Sequence, residues 1–346
     1  MSQLKHIRVA CVLVLCNLAL SVSAMEGAQA IARLLNLRPA GSDKTYAQAA
    51  EIVRREAAAG GALQQYVLAL VSAAPNAPDE IALDEDTRKK YLEKNRLRVR
   101  RLAETRNNAM AWYLLSMETD DLDLLKRAKD GGNVQALNAW GTFQLSRALS
   151  PGPLASTNEI AHAFAEAIDC FKKASLKKDP NSLCNLGMCY MRGYGVERNP
   201  VLSFGAFRAA ADMGHTEAMN NLGGFYRDGI GTEVDAVIAA RWFARSAQLG
   251  NSYGQLNYAL ALLNGEGESR DEKKALEYLR LSAVQKNPAA LKCLADCYEN
   301  GKGVRVDSKR ALVFFMLSRA FEGDAPSGQW LIDTGHTNFL EEVTHE

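Results

Sequence analysis

Residues 218–250 read AMNNLGGFYRDGIGTEVDAVIAARWFARSAQLG, and this stretch decides the fold. Ala218, Leu222 and Phe225 stand four and three residues apart, which is the spacing of a buried stripe on a helix. The Gly-Ile-Gly sequence at 229–231 predicts the end of that helix, because glycine adopts the positive φ of a tight reversal. A second helical pattern follows. The stretch therefore predicts two short helices joined by a turn.

The same pattern recurs at a fixed interval. Shifting the sequence by 36 residues superposes four blocks without a gap. Each predicted helix has about 12 residues, too few to be stable alone in water, so stability is expected from stacking one helix pair on the next. The sequence predicts an all-α solenoid of stacked antiparallel helix pairs. The four blocks begin at Ser182, Ala218, Gly254 and Ala290.

Polar residues also recur where each second helix is expected to begin. Their side chains can accept a hydrogen bond from a free N–H group of the first turn. Pro200 suits the first helical position. We expect these residues to be N-caps: Asn199, Asp235, Asp271 and Asp307.

Together these motifs resemble the Sel1-like repeats, relatives of the tetratricopeptide repeats. The shared pattern is Ala-x-x-x-Leu-Gly-x-x-Tyr, then Gly-x-Gly-Val, an Asp, an aromatic pair and Ala-Ala-x-x-Gly, and residues 218–250 match it nearly throughout. The resemblance implies a right-handed α-solenoid. With the N-terminal residues discussed below, it predicts the following organisation: a signal peptide at 1–24, an N-terminal helical region with degenerate repeats at 25–135, a divergent repeat without Gly-x-Gly at 136–178, four regular repeats at 182–322, and a C-terminal cap and tail at 323–346.

The N-terminus has the features of an export signal. Lys5 and Arg8 precede an apolar run at 9–20, and Ala24 offers a small residue for a signal peptidase. A transmembrane anchor would need about 20 apolar residues, more than the run contains. Cys16 follows Leu-Val-Leu, which does not suit lipid attachment. We expect a periplasmic or secreted product without a membrane span after cleavage.

The cysteines do not form a disulfide framework. Cleavage would leave an odd number of them in a chain with ample core. We expect small buried side chains. Whether Cys170 on one repeat reaches Cys184 on the next stays open at the level of sequence.

A basic segment at residues 88–106 has nine Lys and Arg residues against Glu93 and Glu104. It is either a patch for an acidic partner or an anionic lipid, or a solvated helix face that the acidic residues at 79–86 partly balance. The whole chain is near neutral, at +1, and contains no recognised nucleic-acid module. We therefore expect no nucleic-acid partner.

No motif for catalysis is present. The sequence lacks a Gly-x-Ser-x-Gly elbow, a phosphate-binding loop, a dinucleotide fingerprint and a His-Glu-x-x-His pair. His162, His215 and His336 are far apart, and His215 follows Gly214 in a turn between repeats. We expect no enzymatic activity, no cofactor and no metal. The alternative is a cell-wall or β-lactam hydrolase whose site assembles only in the folded chain.

A polar position recurs on the predicted first helices. Asn185, Asn221 and Asn257 stand 36 residues apart, and Cys293 replaces the fourth. An amide both donates and accepts, so these residues either recognise a partner's backbone or bond a neighbouring repeat. In solenoids of this kind the first helices tend to line the concave surface. The candidate partner-binding set is Asn185, Arg192, Asn221, Arg227, Asp228, Asn257, Asn264, Glu299 and Asn300.

The resemblance implies an adaptor that works by holding another protein. Exported Sel1-like proteins include periplasmic immunity proteins against lipase toxins, scaffolds for exopolysaccharide export and host-interaction factors. The leader-like N-terminus and the repeats without an appended domain favour immunity to a type VI lipase or phospholipase effector. The expected partner is then the toxin, which the solenoid would occlude.

Overall fold

A computed structural model of the chain describes residues 55, 57–58, 62–71, 83–152, 155–336 and 343. The predicted signal peptide lies outside these residues. The described part of the chain forms fifteen helices and no strand. The helices are α1 (Ala62–Val71), α2 (Glu85–Arg106), α3 (Ala109–Thr119), α4 (Leu122–Asp130), α5 (Val134–Leu149), α6 (Thr157–Ser175), α7 (Pro180–Arg192), α8 (Pro200–Asp212), α9 (Thr216–Asp228), α10 (Ala236–Gln248), α11 (Ser252–Asn264), α12 (Glu272–Val284), α13 (Pro288–Asn300), α14 (Ser308–Phe321) and α15 (Ala325–Asp333).

The chain divides into two compact units, Met1–Asn199 and Pro200–Glu346. The boundary falls between α7 and α8, inside the first regular repeat. Within each unit successive helices pack against one another in pairs, and each pair stacks on the next. The prediction of an all-α solenoid of stacked helix pairs is confirmed.

The first unit contains the segment 136–178, which we predict to be a divergent repeat. Its helices α5 and α6 pack together although their connecting loop lacks Gly-x-Gly. Gly141 on α5 makes this contact close, because a Cβ atom there would lie 2.7 Å from Cε1 of Phe171 on α6. Phe171 is fully buried.

The second unit repeats that contact. A Cβ atom at Gly223 on α9 would lie 2.6 Å from Cε1 of Phe243 on α10. Small residues on the first helix thus admit the aromatic ring of the second. Such close contacts stabilise the helix pair, because many small dispersion attractions add up in a densely packed interior.

Buried serines lock the two helices of a repeat together. Each donates its hydroxyl to the carbonyl oxygen of the first residue of the preceding helix, at 2.7 to 2.9 Å. The bonds satisfy hydroxyls that are otherwise removed from water. They join Ser246 to Thr216, Ser282 to Ser252, and Ser318 to Pro288.

Three of the four predicted caps of the second helices are confirmed. Asp235, Asp271 and Asp307 accept from backbone N–H groups of the first turns of α10, α12 and α14. Pro200 begins α8 directly after Asn199. The first helices have caps that the sequence pattern did not reveal, among them Asp179, Asn251 and Asn287.

Candidate functional site

Of the described histidines, two make contacts within the fold and one is exposed. Nδ1 of His215 accepts from the backbone N–H of Ala218 at 3.1 Å and so caps α9, as expected of a turn residue. The ring of His336 stacks on Trp330 at 6.0 Å between centroids. His162 is exposed on α6. In the described residues no group of three or more His, Cys, Asp or Glu side chains is placed to hold a metal ion.

The five described cysteines are thiols, so no disulfide joins Cys170 to Cys184. Burial raises the pKa of the Cys170 thiol to about 11. Burial raises the pKa of Cys189 and of Cys297 to about 12. A nucleophilic cysteine needs the thiolate, and these values keep the thiols protonated at neutral pH.

Two of the three repeated asparagines make hydrogen bonds between adjacent first helices. Nδ2 of Asn185 on α7 donates to Oδ1 of Asn138 on α5 at 3.0 Å. Nδ2 of Asn257 on α11 donates to Oδ1 of Asn220 on α9 at 2.7 Å. Nδ2 of Asn221, at the same repeat position, is buried without a hydrogen-bond partner. At Asn185 and Asn257 this position therefore connects repeats, through side chains rather than backbone.

The remaining candidate residues lie in the last turns of first helices, and all are exposed. Arg192 ends α7 in the first unit. In the second unit Arg227 donates from Nε to Oδ1 of Asp228 at 2.7 Å and from a second nitrogen to Oδ2 at 3.0 Å. This bond raises the pKa of Arg227 and lowers that of Asp228. Glu299 precedes the last residue of α13, Asn300.

A groove of about 670 Å³ runs between α11 and α13 in the second unit. Its apolar lining comes from Leu260, Leu263 and Cys293, all half-buried. Asn264, one of the predicted site residues, lies at its edge. Apolar pockets with a few placed polar groups are the usual form of a binding site.

The rim of this groove is mainly basic. Arg270, Lys292 and Lys302 line it against one acid, Asp296. Nζ of Lys302 lies 2.6 Å from Oδ2 of Asp296, and Nδ2 of Asn300 donates to Oδ1 at 2.7 Å. The hydrogen bond to Asp296 raises the pKa of Lys302, so that lysine is fully charged at neutral pH. Arg270 pairs with Glu272 in turn, so Lys292 is the rim base that makes no ion pair with another described residue. The groove thus combines an apolar floor with a basic rim.

The structure therefore brings only two predicted residues to one place. Asn264 lines the groove, and Asn300 bonds an acid that lines it. The sequence analysis missed Leu260, Leu263 and Lys292, which carry the apolar and basic character. They could have been noticed as departures from the repeat, because Leu260 and Leu263 occupy the positions held by Gly224 and Arg227 one repeat earlier.

Comparison with known proteins identifies the repeats. The Sel1 repeat profile matches residues 180–215, 216–251, 252–287 and 289–315. No curated protein matches the chain. The chain resembles the crystal structure of a Sel1 repeat protein from Oxalobacter formigenes with a TM-score of 0.54 and 22% identity, over 96% of this chain and 90% of that one.

A second crystal structure is a protective antigen of uropathogenic Escherichia coli strains, described as displaying an SLR fold. Its TM-score is 0.48 at 22% identity, over 99% of this chain and 69% of that one. Sel1 repeat proteins typically mediate protein–protein interaction. None of the helices in the described part of the chain is both long and apolar enough to span a bilayer. The chain therefore contains four consecutive Sel1 repeats between residues 180 and 315, on stacked helix pairs of the kind seen in the Oxalobacter structure.

Proposed function

We propose that this chain is a non-catalytic protein-binding module whose partner occupies the groove between α11 and α13. The observation that carries the proposal is the groove itself, with Leu260, Leu263 and Cys293 below a basic rim. An apolar side chain flanked by a carboxylate fits this combination, because the floor removes the apolar group from water while the rim offers charge-assisted hydrogen bonds.

The energetics favour a few anchors rather than the whole surface. Binding energy at interfaces concentrates in a small number of desolvated contacts, and truncating one of them costs about 2 kcal/mol or more. Leu263 is half-buried in the free chain and Lys292 is exposed beside it. These two side chains are the anchors we assign to the partner.

In its narrower form the proposal makes the chain a periplasmic immunity protein. The partner is then a type VI lipase or phospholipase effector, which the bound chain occludes. One feature supports this form: the leader-like N-terminus with Lys5, Arg8 and an apolar run. Sel1 repeats as interaction modules support the broader form.

The test uses the purified chain as bait for envelope and secreted proteins, followed by binding measurements with each purified candidate. A Leu263→Asp/Lys292→Glu variant removes the floor and reverses the rim, and we expect it to lower affinity roughly 30-fold or more. A control variant, Arg208→Glu/Lys309→Glu, changes two exposed bases away from the groove. Circular dichroism verifies that both variants are folded.

The outcomes separate the forms of the proposal. A lipase effector that binds one to one and loses activity on binding supports immunity. Capture of polysaccharide-export components, again dependent on the groove, supports a scaffold and overturns immunity. If the groove variant and wild type bind every partner with equal affinity, the proposal that the partner occupies the groove is wrong. Hydrolysis of peptidoglycan or a β-lactam by the purified chain overturns the non-catalytic role.

A further inference from the structure

Helix α2 in the first unit is firmly held on one side. Asn95, Val99 and Ala103 are 0 to 1% exposed and face the core. Nδ2 of Asn95 donates to Oε1 of Gln65 on α1 at 3.0 Å. The helix therefore has a fixed orientation, and its opposite side is fixed in solvent.

Acidic side chains neutralise some of the basic residues of α2. Arg88 and Lys89 pair with Glu85. Arg96 donates from Nε to Oε1 of Glu118 on α3 at 2.8 Å. Arg100 pairs with Glu104 at 3.2 Å.

Among the side chains that the structure describes, four basic residues of α2 make no ion pair with another described residue. Lys90, Lys94, Arg98 and Arg101 are exposed and stand four, four and three residues apart, so they follow one line along the helix. At 1.5 Å per residue the line is about 16 Å long. Leu97 is 69% exposed and lies beside the line. We call these five residues the cationic stripe.

The surroundings of the stripe do not cancel its charge. Asp86, four residues before Lys90, and Glu93 are exposed on the same helix, and Glu104 is engaged by Arg100. Against Asp86 and Glu93 the four bases still leave an excess of two positive charges. Asp84 caps α2 by accepting from the backbone N–H of Thr87 at 2.8 Å. Charges spaced within a Debye length of about 8 Å act together on a ligand. The stripe is therefore a local field of one sign on a chain of near-neutral total charge.

We propose that the cationic stripe docks the first unit onto an anionic bilayer surface. Its bases are exposed along one side of a single helix, which makes a ridge rather than a cleft. Anchors of a folded protein partner need a pocket in which they are desolvated, whereas lipid headgroups rearrange around a ridge. The exposed Leu97 can enter the interfacial layer between the phosphates that the bases contact.

The test measures sedimentation of the purified full chain with vesicles of equal parts phosphatidylglycerol and phosphatidylcholine. Vesicles of phosphatidylcholine alone are the lipid control. Each base near an anionic surface contributes roughly fivefold to the partition coefficient. We therefore expect the variant Lys90→Gln/Lys94→Gln/Arg98→Gln/Arg101→Gln to lower partitioning to anionic vesicles by roughly a hundredfold or more. High salt should lower wild-type partitioning in the same direction.

A matched variant removes the same net charge from other elements: Arg208→Gln/Arg241→Gln/Arg305→Gln/Lys309→Gln. These four residues are exposed in the second unit, and we expect this variant to bind anionic vesicles within about twofold of wild type. Absence of wild-type binding to anionic vesicles overturns the proposal. So does equal loss in both variants, which would mean that net charge rather than the stripe determines binding. Stripe-dependent capture of an acidic protein, with no vesicle binding, assigns the stripe to a protein and also overturns it.

Discussion

Gly267 lies against the carbonyl oxygen of Ala236, so close that a Cβ atom at position 267 would be 1.9 Å from that oxygen. The equivalent glycine one repeat earlier, Gly231, would place a Cβ atom 2.6 Å from the carbonyl oxygen of Pro200. The second glycine of the Gly-x-Gly turn therefore packs on the start of the preceding repeat's second helix. The turn joins two repeats as well as two helices.

Gly267→Ala should strongly destabilise the second unit. Both Gly265 and Gly267 have positive φ, at 71° and 74°, so alanine at either position costs about 1–2 kcal/mol of backbone strain. Only position 267 adds a clash with backbone, which costs about 1–3 kcal/mol more. The control is Gly265→Ala, whose Cβ atom would meet no heavy atom closer than 3.6 Å. Urea titrations followed by circular dichroism should show the larger loss of stability for Gly267→Ala; equal losses would refute the contact.

Sequence analysis predicted these turns and the need for glycine at positive φ, but it did not predict that the second glycine contacts the preceding repeat. The positive φ of glycine follows from local sequence, and the 36-residue period follows from comparing blocks. The contact of Gly267 with Ala236 was not predictable, because it depends on how one repeat is placed on the next. The same limit applies to Asn257, whose repeat spacing was visible but whose partner, Asn220, is not its equivalent in the preceding repeat.

Ser282→Ala should lower the free energy of unfolding by about 1 kcal/mol. Ser282 is fully buried, and its hydroxyl donates to the carbonyl oxygen of Ser252 at 2.7 Å, so alanine leaves that acceptor without this donor. Ser269→Ala is the control, since Ser269 is exposed in the turn before α12. Thermal unfolding followed by circular dichroism compares the two. If Ser282→Ala were as stable as wild type, the packing of the two helices of a repeat would not depend on this bond.

The repeated asparagines should differ in their effect on stability. Asn257→Ala removes a 2.7 Å hydrogen bond between α11 and α9, whereas Asn221→Ala removes an amide whose Nδ2 has no hydrogen-bond partner. We expect Asn257→Ala to be the more destabilising by about 1 kcal/mol. Chemical denaturation measures stability, and affinity for any captured partner is measured in parallel. Lost affinity with unchanged stability in Asn257→Ala would favour recognition over connection of repeats.

The groove could not be predicted from the sequence either, but the reason differs from that for the contact of Gly267 with Ala236. Repeat proteins bind with the residues that vary between repeats, and the period identifies the invariant ones. Leu263 and Lys292 are distant in sequence and become neighbours only when α11 and α13 pack. Knowing which variable residues share a groove requires the direction of each side chain, which the spacing in the sequence does not provide.

Thiol labelling should follow burial. Cys293 is half-buried on the groove floor, whereas Cys189 and Cys297 are fully buried with pKa values near 12. In the native chain we expect iodoacetamide to modify Cys293 first, since reaction needs both access and thiolate. Peptide mass spectrometry locates the label over time. Faster labelling of Cys189 than of Cys293 in the native chain would contradict the burial of Cys189. A second experiment labels Cys170 and Cys184 in urea without reductant and so checks that no disulfide joins them.

Glu166→Gln should destabilise the first unit at neutral pH, and the deficit should shrink in acid. Glu166 on α6 accepts from Nζ of Lys129 at 3.1 Å, from Nε1 of Trp140 at 2.8 Å and from Gln144. Burial raises the pKa of Glu166, but these hydrogen bonds outweigh burial and hold the pKa below its ordinary value. Glutamine keeps the shape and removes the charge, so we expect a loss of about 1–3 kcal/mol.

The pH dependence follows from the sign of that pKa shift. Because the pKa of Glu166 is lower in the folded state, the carboxylate stabilises the fold above its unfolded pKa of about 4.3 and loses that effect as pH falls through the folded value. Urea midpoints of wild type and Glu166→Gln should therefore converge below about pH 4. Trp112 and Trp140 report this unit by fluorescence when Trp242 and Trp330 are replaced by Phe. The control, Asp169→Asn, alters an exposed pair with Lys173 on the same helix and should leave the midpoint nearly unchanged at every pH. A constant difference between wild type and Glu166→Gln across this pH range would mean that packing, and not the charge, is what glutamine disturbs.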